Sequence, residues 1–197
     1  MYNLIGDFMK TLKENFTSTL VVEKSTFITE LIKIDDVSLV KNMLLNIKNK
    51  YKDATHYCYA YIIDENKKSS DDGEPGGTAG VPMMEVLNKF ELNYILCVVV
   101  RYFGGIKLGA GGLVRTYRKA VADSLKKASV SELVDGYKVI IEVPYNKQNE
   151  LEYILKDNYT KQYQENVIYE AFCTEDKIVA LGNNFNILEK EKRKIEL

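Results

Sequence analysis

The sequence predicts an α+β protein of two domains, at residues 1–135 and 136–197. Segments rich in β-branched residues alternate with segments of helical periodicity along the chain, and this alternation begins again after Gly136. Gly136 is the only glycine between positions 113 and 181, which places a domain boundary near it. Beyond it, the order strand, helix, two strands and helix indicates a small ferredoxin-like domain.

The first domain begins with residues 19–34, which are rich in β-branched side chains and predict one or two strands around Lys24 and Ser25. Asp36 then caps a helix in which apolar residues recur at intervals of three and four between positions 39 and 47. Residues 57–63 predict a further strand. Residues 93–100 are nearly all apolar, which indicates a strand covered on both faces.

Nine of the twelve glycines fall between positions 73 and 112, in two clusters that each lead into a predicted helix. Glycine is favoured where φ must be positive or where a backbone or ligand approaches closely. Residues 69–82 are acidic and precede a helix that ends near Phe90, with Pro82 in its first turn. Residues 101–115 lead into a helix from about Gly112 to Ala128. Both loops therefore predict backbone N–H groups arranged around something negatively charged.

In the second domain, residues 137–143 predict a strand that Pro144 stops. Asn146 caps a helix that extends to about Lys156. Strands are expected near residues 162–172 and 177–181, followed by a final helix that ends near Lys194.

Composition limits the class of protein. Hydrophobic residues make up 46% and charged residues 28%, as in an ordinary globular protein. The longest apolar run, residues 94–100, is too short for a membrane span, and acidic and basic residues near the N-terminus argue against a signal peptide. Three widely spaced cysteines fit free thiols in the cytoplasm. One histidine and no paired cysteines argue against zinc, and no metal or cofactor is expected.

Charge is concentrated locally although the net charge is only −1. Residues 101–127 contain seven basic side chains and one acid, Asp123. At 100° per residue, Arg115, Arg118, Lys119 and Lys126 fall within about 100° of one another on the predicted helix. Together with Lys107 and the glycines at the helix start, they predict an anion-binding surface. The alternative is a solvated charged face behind a tight turn.

The acidic cluster supplies Asp71, Asp72 and Glu74. These side chains either bind Mg²⁺ beside a phosphate or, as we expect, accept hydrogen bonds from loop amides or pair with Arg101 or Lys107. Strand alternation places His56 and Cys58 on one face, and three tyrosines on the other. Cys58 is a nucleophile only if other groups lower its pKa. The tyrosines either stack bases or, more commonly, pack under helices.

Three strings carry a family resemblance: ATHYCYAY, DDGEPGGTAGVPMMEVL and VVVRYFGGIKLGAGGLVRTYRKAV, within residues 24–122. They resemble, in order, the signature blocks of the IMPACT/YigZ family. One departure occurs at residues 24–28, which read K-S-T-F-I where the family usually has K-S-R-F-I, so one potential phosphate or carboxylate partner is missing.

The resemblance implies a first domain like the second domain of ribosomal protein S five, and a ferredoxin-like second domain like the last domain of elongation factor G. It also implies translation regulation, since eukaryotic members resemble regulators that bind a large ribosome-associated partner. It implies binding residues at the matching motif positions, namely His56, Asp72, Gly73, Glu74, Gly77, Gly80, Arg101, Gly104, Gly105, Gly109, Gly112 and Arg115. The charge pattern adds Lys107, Arg118 and Lys119.

Two functional hypotheses follow. The first is a translation-linked binding protein that engages RNA or the ribosome through residues 101–127. The second is an enzyme that acts on a small phosphorylated or carboxylated ligand, in one pocket formed by both glycine-rich loops. A protein partner is a third alternative, and no membrane association is expected. We also expect the two loops to line one cleft and the second to contain glycines with positive φ.

Overall fold

The computed structural model describes residues 9–156, 158–182 and 184–196. The chain divides between Glu132 and Leu133 into two compact units. The mixture of helices and antiparallel strands confirms the predicted α+β class. The division falls inside a long strand close to Gly136, which is a strand residue rather than a linker. A Cβ at Gly136 would lie 2.5 Å from the Ile195 side chain and 2.8 Å from the Cys173 carbonyl oxygen.

Within residues 9–132, the first unit contains a five-stranded sheet, three α-helices and one short strand that is not part of this sheet. In chain order its elements are β1 (Met9–Leu12), β2 (Phe16–Val22), β3 (Ser25–Lys33), a 3-10 turn (Val37–Leu39), α1 (Val40–Lys50), β4 (His56–Ile63), β5 (Asn66–Ser70), α2 (Gly80–Lys89), β6 (Ile95–Tyr102) and α3 (Gly109–Leu125). The sheet has the order β2-β3-β6-β4-β5, and each neighbouring pair is antiparallel.

Helices α2 and α3 cover one face of this sheet. Alternate residues of the strands, such as Phe27, Cys58 and Cys97, share one buried core with Met83 of α2 and Tyr117 of α3. This arrangement places the two glycine-rich segments at the N-termini of neighbouring helices. It also fixes both helices against β6, which is buried along nearly its whole length, as the apolar run predicts.

The opposite face of β4 carries the tyrosines, as alternation predicts. Lys48 of α1 lies over the Tyr57 ring at 5.2 Å, so α1 reaches this face. The Tyr59 and Tyr61 rings stack on each other with centroids 6.5 Å apart. Because Tyr61 is only 8% exposed, its ring contributes to packing rather than to an open base-stacking surface. Strand β5 was not predicted, since its sequence, NKKSS, has no apolar alternation.

The second unit contains β7 (Val130–Val143, which begins just before the division), a 3-10 turn (Tyr145–Lys147), α4 (Gln148–Leu155), β8 (Tyr159–Tyr163), β9 (Val167–Cys173), α5 (Glu175–Leu181) and β10 (Asn186–Glu196). Its antiparallel strands lie in the order β10-β7-β9-β8, which is the ferredoxin-like arrangement. Leu151, Leu155 and Leu181 of the helices pack with the apolar side chains of the strands in one core.

Two predictions for the last part of the chain are wrong. Residues 177–181, predicted as a strand, belong to α5, which has Glu175 and Asp176 in its first turn, where acidic side chains favour a helix N-terminus. The predicted final helix is strand β10, which pairs with β7 from Asn186 to Glu196. Its many Lys and Glu residues suit a helix by propensity, but pairing with β7 outweighs this preference, and an edge strand tolerates exposed charge.

Candidate functional site

The acidic loop, residues 69–82, is organised around the carboxylate of Asp71. Its Oδ2 accepts a hydrogen bond from the Gly77 N–H at 2.8 Å, and its Oδ1 accepts from the N–H groups of Ala79 and Gly80 at 2.9 and 2.8 Å. Burial tends to raise the pKa of Asp71, but the three amide donors outweigh burial and lower the pKa below its usual value. Asp71 therefore holds the loop and satisfies the start of α2.

Glu74 points from the same loop into the protein and is almost fully buried. Its Oε1 accepts hydrogen bonds from Arg101 Nη1 at 2.7 Å and from the Tyr117 hydroxyl at 2.8 Å. The loop, β6 and α3 thus meet at one carboxylate. A buried charge is tolerated only when it is paired and hydrogen-bonded, and Glu74 and Arg101 satisfy this condition for each other.

His56 lies at the edge of this cluster. Its Nδ1 is 2.8 Å from the Asp72 carbonyl oxygen, and because a carbonyl only accepts, Nδ1 carries the hydrogen. The His56 Nε2 faces Glu74 Oε2 at 3.8 Å. The Asp72 carboxylate accepts from the Tyr57 N–H at 2.7 Å. His56 is therefore positioned by backbone contacts beside a buried carboxylate.

Cys58 is a protonated thiol in this environment. Its Sγ donates to the Asp71 carbonyl oxygen at 3.0 Å, and burial raises its pKa to about 12. The neighbouring Tyr117 hydroxyl favours the thiolate, but burial outweighs it. At neutral pH almost no thiolate is present, so the arrangement does not support Cys58 as a nucleophile.

Arg101 is buried between two aromatic rings, with its guanidinium carbon 5.3 Å from the Phe27 centroid and 5.4 Å from that of Phe103. Its Nε has no hydrogen-bond partner among the described residues. Nearby, Ser25 Oγ accepts from the Gly104 N–H at 3.1 Å. A Cβ at Gly104 would lie 2.0 Å from the Lys24 carbonyl group, so the second loop is pressed against the β2–β3 turn.

The cations of the basic surface that follow Arg101 in residues 101–127 face outward, whereas Arg101 itself is buried and does not belong to the exposed surface. Arg115, Arg118 and Lys119 are exposed while Tyr117 is buried on the opposite side. Two of these cations are paired, because Arg118 donates to Glu85 of α2 and Lys119 Nζ lies 2.7 Å from Asp123. The sequence pattern indicated only Asp123 as a counter-charge, and Glu85 is a second one. Among the described residues, Lys107 and Arg115 form no ion pair.

A groove of about 460 Å³ lies where the second loop enters α3. Lys107, Arg115 and Lys119 line it together with Gly112. Its remaining wall comes from Val22 and Glu23 at the end of β2, together with Ile106, Leu108 and Thr116. Leu108, the N-cap residue of α3, supplies no side-chain cap, so the first backbone N–H groups of this helix are candidates for binding an anion.

The structure brings the predicted residues together in two groups. His56, Asp72, Glu74 and Arg101 converge in the buried cluster, beside which lies Gly73, while the amides of Gly77 and Gly80 bind Asp71. The outward group comprises Gly105, Lys107, Gly109, Gly112, Arg115, Arg118 and Lys119. Gly105 and Gly109 have φ of +87° and +69°, which confirms positive φ in the second loop.

The groove beside Gly112 includes no residue of the acidic loop, so this groove is not the predicted shared cleft. Among the described residues, no three potential metal ligands cluster. Glu74 pairs with Arg101, as the expectation of internal counter-charge requires. Asp71 instead accepts hydrogen bonds from loop amides, and Asp72 Oδ1 lies 3.7 Å from Lys48 Nζ. The further part of that expectation, that Mg²⁺ is not needed, stays a prediction.

Sequence reasoning did not identify Asp71 and Tyr117 as the residues that organise the site. Tyr117 lies on the buried side of α3, where its ring contacts Phe27 edge-on at 5.4 Å. A buried tyrosine usually has a hydrogen-bond partner for its hydroxyl, and this rule indicates that a polar group lies near Tyr117. Nothing local indicated that the partner is Glu74, 43 residues away.

Comparison with known proteins identifies related sequences and one similar solved structure. The family model described as "Impact N-terminal domain" matches residues 23–125. The chain is 39% identical to "IMPACT family member YvyE" of Bacillus subtilis, over 94% of this chain and 89% of that protein. It is 35% identical to "IMPACT family member YigZ" of Escherichia coli, over 68% of each. A crystal structure described as a hypothetical protein aligns with a TM-score of 0.69 at 28% identity, over 93% of this chain and 97% of that one.

Within the described residues, no helix combines the length and apolar character needed to cross a bilayer.

Proposed function

Because the chain belongs to the IMPACT family, we propose that it is a translation-linked regulatory protein that engages RNA or the ribosome through the basic surface. The observation that supports this proposal most directly is the exposed cationic face of α3, which lies beside a helix start without a side-chain cap. Local positive charge attracts phosphate even when the whole chain is nearly neutral.

The architecture supports a binding role because the motif residues of the acidic loop stabilise the surface from within. Glu74 connects the loop to Arg101 of β6 and to Tyr117 of α3. Tyr117 lies on the buried side of the helix whose other side carries Arg118 and Lys119. The family motifs thus position the basic face rigidly on the sheet, which reduces the cost of ordering it on binding.

The alternative is an enzyme acting on a small phosphorylated or carboxylated ligand. Its single observation is His56, whose Nε2 faces Glu74, an arrangement suited to moving a proton. A thermal-shift screen against nucleotides and phosphorylated metabolites separates the two hypotheses. A ligand present at 100 times its dissociation constant adds about 2.7 kcal/mol of stability, so a strong hit favours the enzyme.

The direct test compares two triple variants by ribosome co-sedimentation and RNA binding across a salt series. Arg115→Ala/Arg118→Ala/Lys119→Ala removes three cations of the basic surface. Lys41→Ala/Lys52→Ala/Lys68→Ala removes three exposed lysines elsewhere in the first unit and serves as the charge-matched control.

We expect the first triple variant alone to bind weakly and with a flatter salt dependence. Each single-strand phosphate that is no longer neutralised by a cation should lower the logarithmic salt slope by about 0.7. If both variants bind ribosomes and RNA as the parent does, the proposal is wrong.

A further inference from the structure

We propose that the groove at the start of α3 takes a single-stranded RNA chain, with phosphates at Lys107 and Arg115 and one base stacked on Phe103. This inference rests on the proposed function and specifies its ligand. It assigns different roles to cations that the sequence pattern treats as one stripe. It also adds Phe103, which lies within the third family string but is not among the predicted binding residues.

Charge distinguishes two cations of the groove from their neighbours. Arg118 and Lys119 already have carboxylate partners, with Arg118 Nε 3.0 Å from Glu85 Oε2 and Lys119 Nζ 2.7 Å from Asp123 Oδ2. Binding a phosphate at either requires giving up or sharing that partner. Lys107 and Arg115 have no ion pair among the described residues, are exposed, and line the same groove. Their positive charge is therefore available to a phosphate.

Phe103 is 45% exposed although it is a large apolar side chain. The buried Arg101 guanidinium lies over the Phe103 ring, 5.4 Å from the centroid. Arg101 therefore covers part of the side chain, and the remainder is exposed to solvent. The backbone beneath it is fixed, because the Phe103 N–H donates to Thr55 Oγ1 at 3.0 Å and Gly104 abuts Lys24. A rigidly held, exposed ring is suited to stacking a base.

The aromatic ring and the unpaired cations lie close together along the chain. Phe103 and Lys107 are four positions apart in the chain, so their Cα atoms lie no more than about 14 Å apart. Ile106, between them, is 38% exposed and extends the apolar surface towards the groove. A base stacks on a side chain only when it has left its own helical stack, as it does in single strands and loops. A cationic groove with an aromatic platform therefore fits a single strand better than a duplex.

The chain contains no tryptophan, which provides a direct probe. Phe103→Trp places the sole indole at the proposed platform. Its fluorescence is titrated with a single-stranded RNA of about a dozen nucleotides, with the duplex of the same sequence, and with the corresponding single-stranded DNA. We expect saturable quenching by the single strands and little or none by the duplex.

Three further variants separate stacking from charge. Phe103→Leu keeps an apolar side chain without an aromatic face, and we expect at least about fivefold weaker RNA binding with an unchanged salt slope. Lys107→Ala/Arg115→Ala is expected to lower the salt slope by about 1.4. Lys41→Ala/Lys52→Ala removes two exposed lysines outside the basic surface and, because no phosphate contact is lost, is expected to leave binding within about twofold of the parent.

The outcomes distinguish this inference from the proposed function. If the parent binds neither ribosomes nor RNA, the proposed function fails and this inference fails with it. If the parent binds but the indole is not quenched, or the duplex binds as well as the single strand, or the two double variants weaken binding equally, only this inference is overturned. Binding to ribosomes without binding to free single-stranded RNA also overturns it, because a single RNA strand is then not the ligand of the groove.

Discussion

The two glycine-rich segments both combine glycine with charged side chains, acidic in the first and basic in the second, but they use these charges in opposite ways. In the acidic loop the side chains turn inward, with Asp71 binding three amides and Glu74 buried against Arg101. In the second segment the side chains beyond Arg101 turn outward, and Lys107 and Arg115 line an open groove. The same residue types, glycine and charge, therefore build a support in one segment and a surface in the other. What separates them is whether each charge finds its partner inside the protein.

The largest expected effect concerns the acidic loop, where the charge of Glu74 is paired inside the protein. Glu74→Gln leaves the charge of buried Arg101 uncompensated, and we expect a loss of about 3–5 kcal/mol in the free energy of unfolding. Glu85→Gln is the matched control, because it breaks the pair with Arg118, in which both side chains are about half exposed. It should cost less than about 1 kcal/mol. Urea unfolding of the three proteins measures both changes, and equal losses would contradict the distinction between support and surface.

The next effect concerns Gly104, the position at which the second glycine-rich segment packs against the β2–β3 turn. Gly104→Ala would place a Cβ 2.0 Å from the carbonyl carbon and oxygen of Lys24. Neither group moves without shifting backbone, so we expect a loss of about 1–3 kcal/mol or more. Gly111→Ala, in the first turn of α3, would meet only the end of the Arg115 side chain, at 3.4 Å. This control should be neutral or stabilise the helix by up to about 1 kcal/mol. Thermal unfolding of both variants checks the prediction, and a stable Gly104→Ala protein would contradict it.

The smallest effect concerns pH. The pKa of Asp71 is lowered in the folded protein, so its carboxylate contributes stability above the ordinary pKa of 3.8, and this contribution disappears as pH falls through the folded-state value. Asp71→Asn should therefore cost about 1–2 kcal/mol at neutral pH. The difference from the parent should shrink under strongly acidic conditions. Unfolding curves over a pH series measure it, and a difference that stays constant with pH would show that the charge of Asp71 is not the cause.

Local patterns predicted the first unit well and the end of the second poorly. The strands around Lys24, the Asp36-capped helix and the apolar β6 follow from periodicity and capping, since the Asp36 side chain does accept the Ser38 N–H. After Thr174 a strand and then a helix were predicted, whereas the structure has α5 and then β10. Strand β10 takes its conformation from pairing with β7, which lies about fifty residues earlier in the chain. Charged strand residues at a sheet edge carry no apolar alternation by which to recognise them.

By itself, the sequence determined the α+β class, the positions of both glycine-rich segments, the family motifs and the grouping of the basic residues on one side of α3. All of these depend on residues close together in the chain. Only the tertiary structure decided which charges are paired. Glu74 meets Arg101 across 27 residues and Arg118 meets Glu85 across 33, whereas Lys107 and Arg115 form no ion pair within the described part of the chain. The physical reason is that the pairing of a charge depends on which side chains the folded sheet and helices bring within hydrogen-bonding distance, and no local spacing records that distance.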